Sequence, residues 1–356
     1  MRLRTGRRSR AWLPAAVAFG VLAAPGLPAA AAAGDVTEVC RFDDPRLSEI
    51  SGLAASGLHP NVLWLHNDSS GGPVIFAVDA ATCRILAEVT VRGIEARDLE
   101  AIAPGRDAKG RAVLWLGDIG DNLDSWPEVR VHRIREPKVL RSRAVSSRTY
   151  RFAYEDRPHN AETLLADPGS TRLWVVTKQL ARGSLYELPQ RMSRTEVNIA
   201  TRVQREGGLV TDGAVSPQGD RYVLRDYVNA VVYSGLPPGV EQETFLLPLQ
   251  PQGEAITWTS DGQALLVASE RDSRLLRIDL PTAGPTVPSA SAGSGEPAPA
   301  SSDPSGQDPA GDGGTAAEVP SDSSLPTLLL AGALVGGAVL LITVVELRRR
   351  RRPAAG

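Results

Sequence analysis

Five times along the chain, an acidic residue leads a short apolar run that ends in a turn containing glycine. The runs are EISGLAASG from Glu49, EAIAPG from Glu100, ETLLADPG from Glu162, DGAVSPQG from Asp212 and EAITWTSDG from Glu254. A second apolar run follows each lead: VLWLHND, VLWLGDIG, RLWVVTK, RYVLRDY and ALLVASE. A third comes after a polar turn: VIFAVD, VRVHRI, SLYELP, AVVYSG and LLRIDL. These runs are rich in Val, Leu, Ile, Tyr and Trp and are bounded by Gly, Asp, Ser and Pro, which is strand chemistry. Four of the five units close with a fourth run: ILAEVTV, RTYRFAY, VNIATRV and ETFLLPL.

The leading acids are 51, 62, 50 and 42 residues apart. Four strands at such a period predict one propeller blade per unit. The fold expected is all-β: a five-bladed β-propeller. The last unit lacks a fourth strand because the chain turns Pro-rich after Leu280. The segment VTEVCRF, ahead of Glu49, is the spare strand predicted to complete it, hiding sheet edges that an open array would expose. The longest spacing contains REPKVLRSRAVSS, read as a charged loop rather than a sixth blade.

Flanking segments add an address. Residues 1–33 carry five Arg among the first ten positions, an apolar stretch and a small-residue end at Ala33-Gly34. They read as a signal peptide. Residues 34–283 form the expected propeller ectodomain. Residues 284–324 are rich in Pro, Ser, Ala and Gly, with no aromatic and no basic residue, and are expected to be a disordered stalk. Residues 325–346 contain a run of 21 uncharged residues, Leu325–Val345. At 1.5 Å per residue this is about 31 Å, one hydrocarbon thickness. Residues 347–356 hold Arg348–Arg352, expected in the cytoplasm by the positive-inside rule. The expectation is a single-pass protein of the cell membrane, joined to it by one C-terminal transmembrane helix, with the propeller extracellular. Only two cysteines occur, Cys40 and Cys83. Cys40 falls on the proposed closing strand and Cys83 just before the outer strand of the first unit, next to it in the ring, in an export-competent segment, which predicts a disulfide that pins it shut.

Charge changes the picture in one respect. Outside the leader and tail there are 29 basic and 40 acidic residues, net −11. No run of basic residues marks a nucleic-acid groove. The partner expected is a small molecule or a cell-surface molecule.

The lead acids Glu49, Glu100, Glu162, Asp212 and Glu254 begin the innermost strand of each unit and are expected at one channel mouth. Several carboxylates at one level repel and require compensation. Three answers are open: a bound hard cation, with Ca2+ favoured by its flexible oxygen coordination; internal cations from Lys178, Arg225 and Arg271; or capping of neighbouring backbone amides. The loop DIGDNLD adds Asp118 and Asp121, and the second-strand end RDY adds Asp226. His66 and His159, each close in sequence to a mouth acid, are the candidate acid/base groups. There is no G-x-S-x-G, H-E-x-x-H, P-loop or dinucleotide fingerprint.

The lead pattern, with ISGLA after Glu49 and then LWLHND, resembles the phytase-like (esterase-like) and gluconolactonase-like calcium propellers. The resemblance implies a calcium ion at the channel mouth serving hydrolysis of an ester, lactone or phosphoester. It implies Glu49, Glu100, Asp118, Glu162 and Asp226 as metal ligands. Two functions are therefore expected to compete: a ligand- or partner-binding module, and a calcium-dependent hydrolase.

Overall fold

A computed structural model describes residues 34–280, except 69–71, 181–182 and 207. The expected signal peptide, stalk, transmembrane helix and tail lie outside the described residues. Among the described residues no helix is long and apolar enough to cross a membrane.

The described chain is all-β and contains five four-stranded units. Strands β2 (Ile50–Ala55), β3 (Val62–Asn67), β4 (Val74–Asp79) and β5 (Ile85–Arg92) pair antiparallel in sequence order. The second unit is β6 (Leu99–Arg106), β7 (Ala112–Asp118), β8 (Val129–Arg135) and β10 (Arg148–Tyr154). The third is β11 (Ala161–Ala166), β12 (Leu173–Thr177), β13 (Gly183–Glu187) and β14 (Asn198–Glu206). The fourth is β15 (Asp212–Val215), β16 (Arg221–Arg225), β17 (Asn229–Ser234) and β18 (Val240–Leu246). The fifth is β19 (Gln252–Trp258), β20 (Ala264–Glu270) and β21 (Asp272–Asp279), completed by β1 (Val36–Arg41).

Burial explains why the first strands read as continuous apolar runs and the fourth strands as alternating ones. β11 and β19 are buried at every position, whereas β5 alternates buried and solvated residues. A strand covered on both faces loses the period of two. Hydrophobic cores lie between units rather than within them. Trp64 packs with Leu114 and Leu116 of the next unit, Trp174 with Tyr222, and Trp258 with Val223. The last core returns to the beginning: Ala255, Leu266 and Leu275 pack with Leu53 and Leu63. The first strands neighbour one another in the same cyclic order, with β19 against β2.

The closing strand is where the apolar pattern places it. β1 pairs antiparallel with β21, Val36 opposite Ile278 and Arg41 opposite Arg274. Cys40 and Cys83 are disulfide-bonded, with Cα atoms 5.7 Å apart. One segment departs from the sequence reading. Within REPKVLRSRAVSS, Arg143–Ser146 forms β9, which pairs parallel with β5. The exposed amides of β5 needed a partner, and Val145 supplies an apolar contact to the core below. A second parallel pairing, β10 with β14, joins the outer edges of the second and third units.

Candidate cation site

The acids that lead the repeats are set by β-bulges, not by plain alternation. The register of the first strand slips between Leu99 and Ala101, between Ala161 and Thr163, and between Gly253 and Ala255. The residue passed over is Glu100, Glu162 and Glu254 in turn. A bulge leaves its residue outside the ladder and re-aims its side chain. In the first unit the slip falls between Ile50 and Gly52, so Ser51 occupies the bulge and Glu49 precedes the strand. Asp212 pairs in register with Arg225. The constant offset expected from sequence thus holds for three of the five acids. Glu100, Glu162, Asp212 and Glu254 are buried, and Glu49 is half-buried.

Their environments differ by unit. Glu162 accepts from Lys178 Nζ at 2.7 Å, and Lys178 also donates to the Tyr227 hydroxyl at 2.7 Å. Asp212 accepts from the Ile256 amide of the next unit at 2.8 Å. Burial pushes its carboxyl well above the ordinary value, against the pull of that amide and of Arg225. Glu254 accepts from Gln252 Nε2 at 3.1 Å. Arg225 is fully buried and donates to the Ala255 and Ala268 carbonyls of the fifth unit at 3.0 and 3.4 Å. Burial holds its pKa down at about 10. Its guanidinium lies against Gly253, where a Cβ would stand 2.0 Å from Nη2. Internal cations and amide capping therefore both operate, Lys178 at Glu162 and an amide together with Arg225 at Asp212.

Between the first and second units the arrangement is different. Asp68, Asp98 and Glu100 each offer a carboxylate oxygen, all within 4.8 Å of one another. Glu100 and Asp98 are buried, and Asp68 is half-buried. The ends of β3, β6 and β7 converge here. The Asp68 amide donates to the Glu49 carbonyl at 2.8 Å, and the Gly120 amide to the Asp98 carbonyl at 3.2 Å. Gly120 leaves the space open: a Cβ there would stand 2.5 Å from Asp98 Oδ2 and 2.8 Å from Glu100 Oε1. Asn122 Nδ2 reaches Asp98 Oδ2 at 3.3 Å. Hard oxygen donors with a side-chain-free gap beside them fit a calcium-type cation.

The remaining expected ligands hold backbone. Asp118 Oδ1 accepts from the Arg97 and Asp98 amides, both at 2.8 Å, and Oδ2 lies 3.6 Å from His132 Nε2. Burial raises its carboxyl, but His132 and the two amides more than offset this and leave it below the ordinary value. Asp121 Oδ2 accepts from the Ser125 and Trp126 amides. Asp226 Oδ1 accepts from the Val228 and Asn229 amides, both at 2.6 Å. Asp118 thereby orients the start of β6, and so Asp98 and Glu100, from behind.

Both histidines are buried. His66 Nδ1 contacts the Asn67 carbonyl at 3.0 Å, and burial pushes its pKa below the ordinary value. Its Nε2 lies against Gly52, 2.4 Å from where a Cβ would be, and has no hydrogen-bond partner among the described residues. His159 belongs to another cluster: Nε2 contacts Asp156 Oδ1 at 3.0 Å and the Tyr186 hydroxyl at 2.8 Å. The cavity at the far ends of the first strands, about 230 Å³, is bordered by Ala55, Gly105, Ala166, Val215 and Trp258 and has no carboxylate in its lining.

No protein-family model matches the chain, and no curated protein matches it. Among solved structures it is similar to Raptor from Chaetomium thermophilum, at 9% identity and a TM-score of 0.40. That likeness covers 69% of this chain and 29% of the other, so the chain spans less than a third of that protein.

Proposed function

We propose that the chain is a five-bladed β-propeller held at the outer face of the cell membrane, and that it binds a ligand or partner through Ca2+ at the end of its inner strands. The site is narrower than the full ring of acids: Asp68, Asp98 and Glu100 would hold the ion. The single observation that carries this is their three oxygens within 4.8 Å beside Gly120. Three carboxylate oxygens this close offer the several hard ligands that a calcium-type cation takes. Once bound, calcium would offer open coordination positions to an oxygen-bearing ligand.

The competing reading, suggested by the resemblance to phytase-like and gluconolactonase-like propellers, is a calcium-dependent hydrolase. The burial of His66 favours the binding module. A general base must reach the proton it takes, and His66 Nε2 is packed against Gly52.

Calorimetric titration of the chelator-stripped full chain with calcium tests the reading. One saturable event is expected, with a rise in melting temperature, because an ion that binds only the folded state stabilises it by mass action, about 2.7 kcal/mol at a hundredfold excess over Kd. Glu100→Gln removes one charge at constant shape and should weaken binding at least about tenfold. Gly120→Ala keeps all three acids and fills the gap, and should abolish the event. A melting temperature indifferent to calcium, with Glu100→Gln more stable than the parent, would refute the site. Turnover of simple esters, lactones or phosphoesters that requires calcium and Glu100 would favour the hydrolase.

A further inference from the structure

The described fold is acidic at its inner-strand ends, yet one cleft is strongly basic. It lies between the end of β8, the added strand β9 and the start of β10. Its volume is about 360 Å³, and its lining includes Arg111, Arg133, Arg135, Arg143 and Arg148 against one acid, Asp107. Asp107 is already engaged: it accepts from the Lys109 and Arg111 amides and from Arg111 Nε at 2.7 Å. Among the described residues no carboxylate forms an ion pair with the other four arginines.

The pairing of the strands sharpens this. Arg148 on β10 lies directly opposite Arg133 on β8. Like charges facing each other across an antiparallel pair are destabilising. Arg133 is also fixed in place, its guanidinium 5.5 Å from the Trp115 ring and 5.7 Å from the Tyr150 ring. Cation–π contacts of this kind hold the group without neutralising it. Guanidinium forks suit the paired oxygens of phosphate-like groups. A cleft of this volume sits at the small end of ligand pockets, which favours a compact ligand over a polymer.

We infer that this cleft is a binding site for a small multivalent oxyanion of the diphosphate type, held by Arg133 and Arg148 with Arg135 and Arg143 at its border. The site shares no residue with the carboxylate cluster and does not depend on calcium. The arginines cluster in the sequence, four of the five lying between 133 and 148, but the cleft takes shape only because the segment read as a loop forms β9 beside β5.

The test is calorimetric titration of the full chain in detergent, at low salt, with inorganic pyrophosphate. Saturable binding is expected, weakening as salt rises from 0.05 to about 0.2 M as screening sets in. The double variant Arg133→Gln/Arg148→Gln should bind at least about tenfold more weakly, while its melting temperature without pyrophosphate equals or exceeds the parent's. Should that variant fail to fold, Arg143→Gln on the edge strand provides the same comparison. Absence of binding, or binding undiminished in the variants, overturns the inference. So does binding of a long sulfated polysaccharide, or of phosphatidylglycerol vesicles, that pyrophosphate does not compete away.

Discussion

Asp156 shows how a single residue couples this fold to pH. Burial alone would raise its carboxyl, but the Arg157 amide, His159 and Tyr186 more than offset this and hold it at about 2 against an ordinary 3.8. A carboxylate depressed in the folded state contributes stability above its unfolded pKa and loses it as pH falls through the folded value. Asp156→Asn should therefore cost about 1–2 kcal/mol at pH 6, discounted because the side chain is partly solvated. The gap to the parent should close between pH ~4 and ~2. Urea denaturation across that range measures it, and a gap unchanged from pH 6 to pH 2 would show that Asp156 is not linked. Legibility at this scale is uneven. Glu100 stands out in the sequence because it leads an apolar run, but Asp68 and Asp98 do not. Asp68 trails a second strand in HND, and Asp98 sits two residues before Glu100 in RDLE. A search for one acid per repeat passes over both, although two carboxylates in RDLE could have been weighed together. Arg225 was visible as a cation at a strand end. Its landing place on Gly253 had only the weak signal of a lone glycine in a strand, which marks close backbone approach.

At the scale of elements, the strands and their order were legible because apolar runs and turn residues repeat. The missing fourth run after LLRIDL pointed to VTEVCRF, and β1 does pair with β21. What the pattern could not show was a register slip. A bulge changes no residue type, so alternation alone gives the lead acids a common offset and does not show Ser51 in place of Glu49. β9 is hidden from the pattern for another reason: RAVS is short and sits among charges, and only the open edge of β5 makes it a strand. The closing strand carries its own prediction. Cys40 and Cys83 are 43 residues apart in sequence and tie β1 to the turn before β5. Loop-closure entropy puts the bridge at about 4 kcal/mol as an upper figure. The double variant Cys40→Ser/Cys83→Ser should unfold at a clearly lower denaturant concentration than the parent. It should also self-associate, because a loosened β1 bares the edge of β21. Denaturation midpoint and sedimentation read the two effects. A midpoint equal to the parent's would mean that the pairing of β1 alone closes the fold.

For the whole molecule, the position of the last strand decides what can be cut away. β21 ends at Asp279, and its partner β1 comes from the other end of the chain. Every strand described in the five units therefore lies before residue 281, and the segment 284–324 is rich in Pro and Ser. Cleavage in a segment of that composition is favoured over cleavage in paired strands. If 325–346 crosses the membrane with the arginines inside, a protease added to intact cells should release a soluble fragment containing both cysteines. That fragment should keep the calcium response of the full chain, because Asp68, Asp98 and Glu100 all lie within it. It should also keep the pyrophosphate affinity, since the basic cleft lies between Asp107 and Arg148. Immunoblotting of the medium and of the washed cells measures release, and melting curves of the fragment with and without calcium measure its integrity. A fragment freed only after the cells are broken open would place the fold on the inner side of the membrane. A fragment released but unfolded would show that residues beyond 280 complete the structure.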